Sequence, residues 1–560
     1  MSSHFLFHSE VSETIPFNAK YSFPTQASRV IMSTSRISPI TTPTMGSFSA
    51  PLNSSAKGRL VQIKLPAQGY LNPLESYLRF DLYIVPPAGS TTYYVNAPRI
   101  LAAGAHGIFR RMRILYGGMV IEDIQLYNNL VRMLTNVAVG EAYQDGVGTI
   151  LEGMGSDAAR AALFHPITRG GITNSEFVGP LLNNSIFSNT LTARPWVQPN
   201  GPVAIIQSDE FVSGTGSSFG KGGVKHTFCI SLASGLLTQQ KLIPLKWMAN
   251  QLMIELELEE PAGFLVTGST AELPLAYEAS GLTQPWAAAL STEVVPSQYT
   301  AVSATTANAG TVPYTLAADS AQAQNLNYYL DNIYFVANIL EFDASYDAAF
   351  FKGMASGGVP IKFASWHTHQ HIPTGSQATL IIQERARSVK SIFSMLRKRG
   401  DLSPAGSTTP FLTDPHWTYP GVTPASGVYD DNSQGIYEFQ LRVGGRYFPS
   451  QPIRCTFGGG EPLAELQKAL NLFGDYQLAA PIKPENWWRW RGLSVLAIEL
   501  ESSNGFELSG VNAEELADLQ FLLNLQSGSP GFDNDMFTST YVHYDSMLII
   551  RPNNIVEKLE

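Results

Sequence analysis

The sharpest chemical feature of the sequence is the run WHTHQHI, which places His367, His369 and His371 at alternate positions. Alternate residues on a strand point the same way, so three imidazoles on one face are the expectation, a set able to converge on a divalent cation. IPTGSQATLII follows, however, and no acid appears until Glu384. The plainer reading of the same histidines is a polar face at a wet interface, or a pH-sensitive contact.

Other chemical motifs are weaker. GSSFG at 216–220 matches the G-x-S-x-G pattern around Ser218, but a nucleophile elbow needs an apolar strand before it and a helix after it. SDEFVSGTGSSFGKGGVKH supplies neither. Gly220-Lys221 is half of a phosphate loop, with Thr215 where the first glycine belongs and Gly222 in place of the hydroxyl residue. Arg110, Arg111 and Arg113 form one basic cluster; Arg385, Arg387, Lys390, Arg397, Lys398 and Arg399 form another. Such clusters face nucleic acid in some proteins, but more often pair with acids such as Glu122 and Asp123. Glu341, Asp343 and Asp347 do not have the spacing of a calcium loop. Trp487, Trp488 and Trp490, with Trp366 and Trp417, suit either a sugar platform or an apolar core. No acid–base pair or nucleophile relay emerges, so no catalytic residue and no cofactor is expected.

The elements that would carry these residues are strands. RLVQIKLP and YLRFDLYIV alternate apolar and polar positions, and GIFRRMRILYGG with MVIEDIQLY reads as a hairpin turning at Gly117-Gly118. In KWMANQLMIELELEEP, Met253, Glu255, Glu257 and Glu259 are expected to face solvent and Ile254, Leu256 and Leu258 a core. A second strand-rich run starts at YYLDNIYFVANILEF and continues to YVHYDSMLIIRP. NNLVRMLTNVAVGEAY, EPLAELQKALNLF and NAEELADLQFLLNLQ have helical spacing. The pattern divides the chain into an irregular N-terminal arm (1–57), a strand-rich half (58–262), an Ala/Ser/Thr/Pro-rich linker and surface loop (263–325) and a second strand-rich half (326–560). Strands do not alternate with helices, which argues against a parallel α/β fold. The expected class is all-β: two consecutive eight-stranded antiparallel jelly rolls with long loops and a few short helices.

Composition narrows the classes further. The 560 residues are 44% hydrophobic and only 15% charged, against about 25% in a typical soluble protein. Interfaces are depleted in charge, so a low-charge outside suits a chain buried against other subunits. A net charge of −10 argues against a chain that mainly coats nucleic acid. Cys229 and Cys455 cannot build a disulfide framework and read as buried thiols. The start MSSHFLFHSEVSE lacks the features of a signal peptide, and no stretch reaches the roughly 18 apolar residues of a membrane span.

Several stretches together resemble the major capsid proteins of Polinton-like viruses, a lineage that also includes virophages and large DNA viruses of eukaryotes. In the second half these are LRVGGRYFPSQPIRC, EPLAELQKALNLF, LSVLAIELESSNGFELSGVNAEELADLQFLLN and YVHYDSMLIIRPNNIVEKLE; ARSVKSIFSMLR is of similar kind. In the first half, KLIPLKWMANQLMIELELEEP resembles the end of the first jelly roll of the lineage. The resemblance implies a double jelly-roll capsid protein and not an enzyme. It would assemble as a pseudo-hexameric homotrimer and tile an icosahedral shell in the virion, after synthesis in the host cytoplasm or nucleus. Its partners would be itself, neighbouring capsomers, and penton and minor capsid proteins. The N-terminal arm would lie inside, meeting an internal membrane or the genome. The alternatives are a minor virion or glycan-binding jelly roll using the tryptophans, and a cupin-like metal enzyme using His367, His369 and His371. A cupin, itself a jelly roll, shares the His-x-His pair but also needs a nearby Glu and a later His.

Overall fold

The computed structural model describes residues 31–40, 60–85, 98–100, 104–144, 146–154, 224–259, 265–267, 327–398, 421–422, 429–430, 436–455, 460–473, 482, 495–501, 509–514, 519–525, 536–552 and 555–560. The strands up to the middle of the chain are β1 (Ile31–Ile37), β2 (Leu60–Lys64), β3 (Tyr70–Val85), β4 (Pro98–Ile100), β5 (Phe109–Tyr116), β6 (Met119–Gln125), β7 (Val224–Ile230), β8 (Leu252–Leu258), β9 (Leu265–Thr267) and β10 (Asn327–Glu341). Beyond them come β11 (Val359–His371), β12 (Gln377–Ile382), β13 (Val389–Lys398), β14 (Gly421–Val422), β15 (Tyr429–Asp430), β16 (Ile436–Val443), β17 (Arg446–Arg454), β18 (Leu496–Glu499), β19 (Leu519–Leu525), β20 (Met536–Arg551) and β21 (Ile555–Leu559). Three helices matter below: α1 (Tyr127–Ala138), α2 (Ala344–Ala355) and α3 (Glu461–Ala469).

From β11 onward the sheet order is that of a jelly roll. One sheet runs β11-β20-β13-β18, with β21 added to β20; the other runs β12-β19-β16-β17. With the small β14/β15 ribbon and the terminal strand β21 set aside, the first strand of this half lies beside the last, while the second lies beside the second-to-last. That interleaving is the jelly-roll signature. With the small β4/β9 ribbon likewise set aside, the first half repeats its core: β2-β8-β5-β6 begins with first strand, last strand and third, and β3 pairs with β7 in a second sheet. All these pairings are antiparallel. The fold is a double jelly roll.

β10, which the sequence pattern counts within 326–560, hydrogen-bonds to β3 over most of its length and extends the first half's sheet. On its other edge it carries β1, from within the arm 1–57, in register from Ile31↔Glu341 to Ile37↔Phe335. Thus part of a segment expected to be irregular is an edge strand.

The helices at NNLVRMLTNVA and EPLAELQKA form where their spacing puts them. α2 is capped at its N-terminus by Asp343, whose side chain accepts a hydrogen bond from the Tyr346 backbone N–H at 3.1 Å. The third helix expectation is corrected. Leu519–Leu525 within NAEELADLQFLLNLQ is β19, strictly alternating between buried and half-buried residues between β12 and β16. A central sheet position with cores on alternate residues overrides local helix preference.

β8 also departs from its expected two faces. Met253 and Glu257 are half-exposed, but Glu255 and Glu259 are buried. Glu255 sits in a cross-strand row between Gln62 of β2 and Arg113 of β5, ion-paired to Arg113 at 2.6 Å. Glu259 accepts from the Asn128 amide at 3.0 Å. Partnered carboxylates can be buried where isolated ones cannot.

Candidate functional site: the seam between the two halves

Among the described residues β6 and β11 are edge strands of their sheets, and they face each other. Thr368 of β11 donates its hydroxyl to the Gln125 carbonyl at 2.8 Å, and Tyr541 of β20 donates to the Leu126 carbonyl at 3.3 Å. Deeper in the seam lies Glu122 of β6, fully buried. Its carboxylate accepts from the backbone N–H groups of Gly235 (3.0 Å) and Leu236 (3.1 Å) and from the Ser234 hydroxyl. Burial pushes the Glu122 carboxyl up, opposed by these hydrogen bonds and by Ser365 of β11. The loop 234–236 is therefore pinned to the first half by a buried acid while it touches the second.

The seam continues into the histidine face. His367 packs against Tyr544 in a tilted pair with ring centroids 4.1 Å apart. Its Nδ1 lies 3.0 Å from Glu384 Oε2, and its Nε2 lies 3.1 Å from Glu560 Oε1. His369 Nε2 lies 3.4 Å from the same Glu384 oxygen. With a carboxylate opposite each ring nitrogen, His367 is suited to carry both protons. Burial pulls its imidazolium down, but the two carboxylates outweigh that and push it up to about 9. The histidines in turn hold Glu384 well below the usual carboxylate range against the effect of burial. Glu560, opposed by burial but bonded to His367, is lowered to about 2.

The three histidines share a face, as their alternation requires, but they do not converge. His371 Nε2 donates to the Ile381 carbonyl at 2.7 Å. Among the described residues no group of three or more His, Cys, Asp or Glu is arranged to hold a metal ion. Glu384, distant in sequence, is brought to the histidines because the chain folds back from β11 through β12. β11 and β12 lie in different sheets, paired to β20 and β19, and only that tertiary arrangement brings Glu384 back over the histidine face.

The remaining sequence candidates are dispersed. Arg111 pairs with Asp123 through its Nε at 2.7 Å and Arg113 with Glu255, so two of the three arginines of that hairpin are neutralised on their own sheet. Arg110 and Arg385 are exposed, and exposed Arg387 pairs with Glu514 at 2.7 Å. Lys390 is buried. Of the acids near 343, Asp343 caps α2, while Asp347 meets Lys246 and the Tyr70 hydroxyl. Trp366 is buried and stacked on His543, with centroids 4.3 Å apart. Both cysteines are free, Cys229 half-buried and Cys455 buried. Ser218, Lys221, Arg399, Trp417, Trp487, Trp488 and Trp490 lie outside the described residues, as do the side chains of Arg397 and Lys398.

No family model matches the chain, and no curated protein matches it significantly. Among solved structures it is similar to the PBCV-1 virus capsid quasi-atomic model, at 11% identity and a TM-score of 0.44 over 95% of this chain and 97% of that one. It is also similar to the Faustovirus major capsid protein, at 10% identity and a TM-score of 0.48 over 93% and 90% of the two chains. The mavirus major capsid protein gives 10% identity and a TM-score of 0.39 over 97% and 94%.

Proposed function

We propose that the chain is a major capsid protein: a structural subunit that forms pseudo-hexameric homotrimers and tiles an icosahedral shell. The observation that carries this reading is the seam. Two jelly rolls of the same core strand order stand edge to edge, β6 of one facing β11 of the other, across a buried polar network. One chain so built is two sixths of a hexagon. Three copies about a threefold axis would present six rolls, and closed symmetry would stop growth at the trimer. The low charge content fits a surface largely buried in an assembly. The histidine–carboxylate group fits a structural rather than an enzymatic role, since His367 has a carboxylate opposite each ring nitrogen and His371 engages a backbone carbonyl.

The partners on this reading are other copies of the chain, neighbouring capsomers, and penton and minor capsid proteins, with the arm 1–57 on the inner side toward a membrane or the genome. The native mass of the purified chain tests it. A species of three times 61.0 kDa, or shells built from it, is the expected result. A stable monomer or dimer that assembles no further would overturn it.

A further inference from the structure

Lys390, Glu501 and Asp545 form a buried cluster in the second half that the seam does not use. Their side chains are 7%, 4% and 4% exposed. Lys390 Nζ lies 3.1 Å from Glu501 Oε1 and 4.0 Å from Asp545 Oδ1. The backbone is arranged to hold them there. In the pairing of β13 with β20 the register slips between Val389 and Ser391, so Lys390 is the extra residue of a bulge. Bulges re-aim a side chain. On either side of it the Asp545 N–H donates to the Ser388 carbonyl at 2.9 Å, and the Leu500 N–H donates to the Lys390 carbonyl at 2.7 Å. β13, β20 and the segment just past β18 that carries Glu501 are thus clamped at the cluster. Gly510 packs so tightly on Val389 that an added Cβ would lie 2.4 Å from its carbonyl oxygen.

The carboxyl of Asp545 is also oriented. Ser388 donates its hydroxyl to Oδ2 at 2.8 Å and accepts from the Gly510 N–H at 3.1 Å, leaving Oδ1 on the lysine side. Ser509 donates to Glu501 Oε1 at 2.9 Å. The other titratable groups facing the cluster are His543, held neutral by burial and by Lys390, and Lys362, which faces Asp545. A lysine, an acid to attack and a second acid to move protons, all withdrawn from water, are the components of amide formation.

We propose that Lys390 and Asp545 join in an intramolecular isopeptide bond, with Glu501 transferring the protons, so that β13 and β20 become covalently linked. Burial raises the Asp545 carboxyl against the pull of Lys390, which favours the neutral acid that an amine attacks. The Glu501 carboxylate takes one proton from the Lys390 ammonium. The freed lone pair on Nζ attacks Cγ of the neutral Asp545 carboxyl. Glu501 returns its proton to the departing hydroxyl, which leaves as water, and takes the second nitrogen proton, which it releases to solvent. One N–C bond forms and one C–O bond breaks; no oxidant or cofactor is needed. Fixing the reactants in one fold supplies the effective concentration, about 10⁵ M or more for well-oriented groups.

The test is the intact mass of the full chain, folded, incubated and then denatured, followed by peptide mapping. The expected mass is that of the sequence less one water, with a branched peptide containing Lys390 and Asp545. Lys390→Arg should restore the full mass, and Glu501→Gln should leave a persistent full-mass fraction. A wild-type chain that keeps its full mass and yields only linear peptides for both residues would reduce the cluster to a buried ion pair and overturn the proposal. A lost water that persists in Lys390→Arg would overturn it as well.

Discussion

Gly235 approaches Ala364 so closely that a Cβ built on it would lie 1.6 Å from the Ala364 carbonyl oxygen. The two residues belong to different halves, so the absent side chain is a condition of the seam. The glycine is required here for space rather than for an unusual backbone angle. Gly235→Ala must push β11 away or displace the loop pinned by Glu122. Overpacking of this kind costs on the order of 3 kcal/mol. Chemical denaturation should show that loss, and sizing chromatography should show less of the proposed trimer.

Glu122 predicts a polar counterpart to that effect. Its two oxygens meet donors only: Gly235 N–H on one, Leu236 N–H and the Ser234 hydroxyl on the other. Glu122→Gln places an amide NH₂ against a backbone N–H, and Glu122→Ala leaves both N–H groups unpartnered. Each substitution is expected to cost roughly 2–3 kcal/mol. Denaturant titration checks this; wild-type stability in both variants would refute the role given to the acid.

The His367 group predicts a stability profile with pH. Its folded value of about 9 lies above the ordinary 6.5, so its contribution is complete below 6.5 and is lost as pH rises through 9. Glu384 and Glu560 are lowered from 4.5, so their contributions are complete above that value and are lost as pH falls through the folded values. The group stabilises most between about 4.5 and 6.5. Thermal melts between pH 6 and 9.5 should show a falling Tm, and His367→Gln should lower Tm at pH 6 and flatten the slope. His369, Tyr544 and Lys558 face the same carboxylates, and variants there should change the slope less.

The arm makes a prediction at the level of assembly. Among the described residues β1 pairs only with β10, and its side chains with described exposure are mostly solvent-facing, Met32 at 62% among them. Removing residues 1–50 should therefore leave the proposed trimer folded while impairing shell formation. Electron microscopy of the assembled product checks this, and normal shells from the truncated chain would remove the arm from the assembly pathway.

Much of the fold was legible from the chain itself, because strands announce themselves by alternation. The Gly117-Gly118 hairpin, the strands of RLVQIKLP and YVHYDSMLIIRP, and helices α1 and α3 stand where local pattern puts them. So does the shared face of His367, His369 and His371, since period two is a property of the backbone. What local pattern does not contain is the identity of a strand's neighbour. LQFLLNL satisfies a helical count as well as an alternating one, and only its place between β12 and β16 decides for β19. Nothing in YYLDNIYFVANILEF distinguishes a strand that opens the second half from one that returns to β3. The arrival of Glu384 and Glu560 at His367, of Ala364 at Gly235, and of Glu501 and Asp545 at Lys390 are likewise long-range events, fixed by strand pairing and by a single bulge. Composition and period thus determined an all-β chain of two halves. Pairing across hundreds of residues decided which charges are buried together, because a carboxylate can leave water only where a distant partner has been folded to meet it.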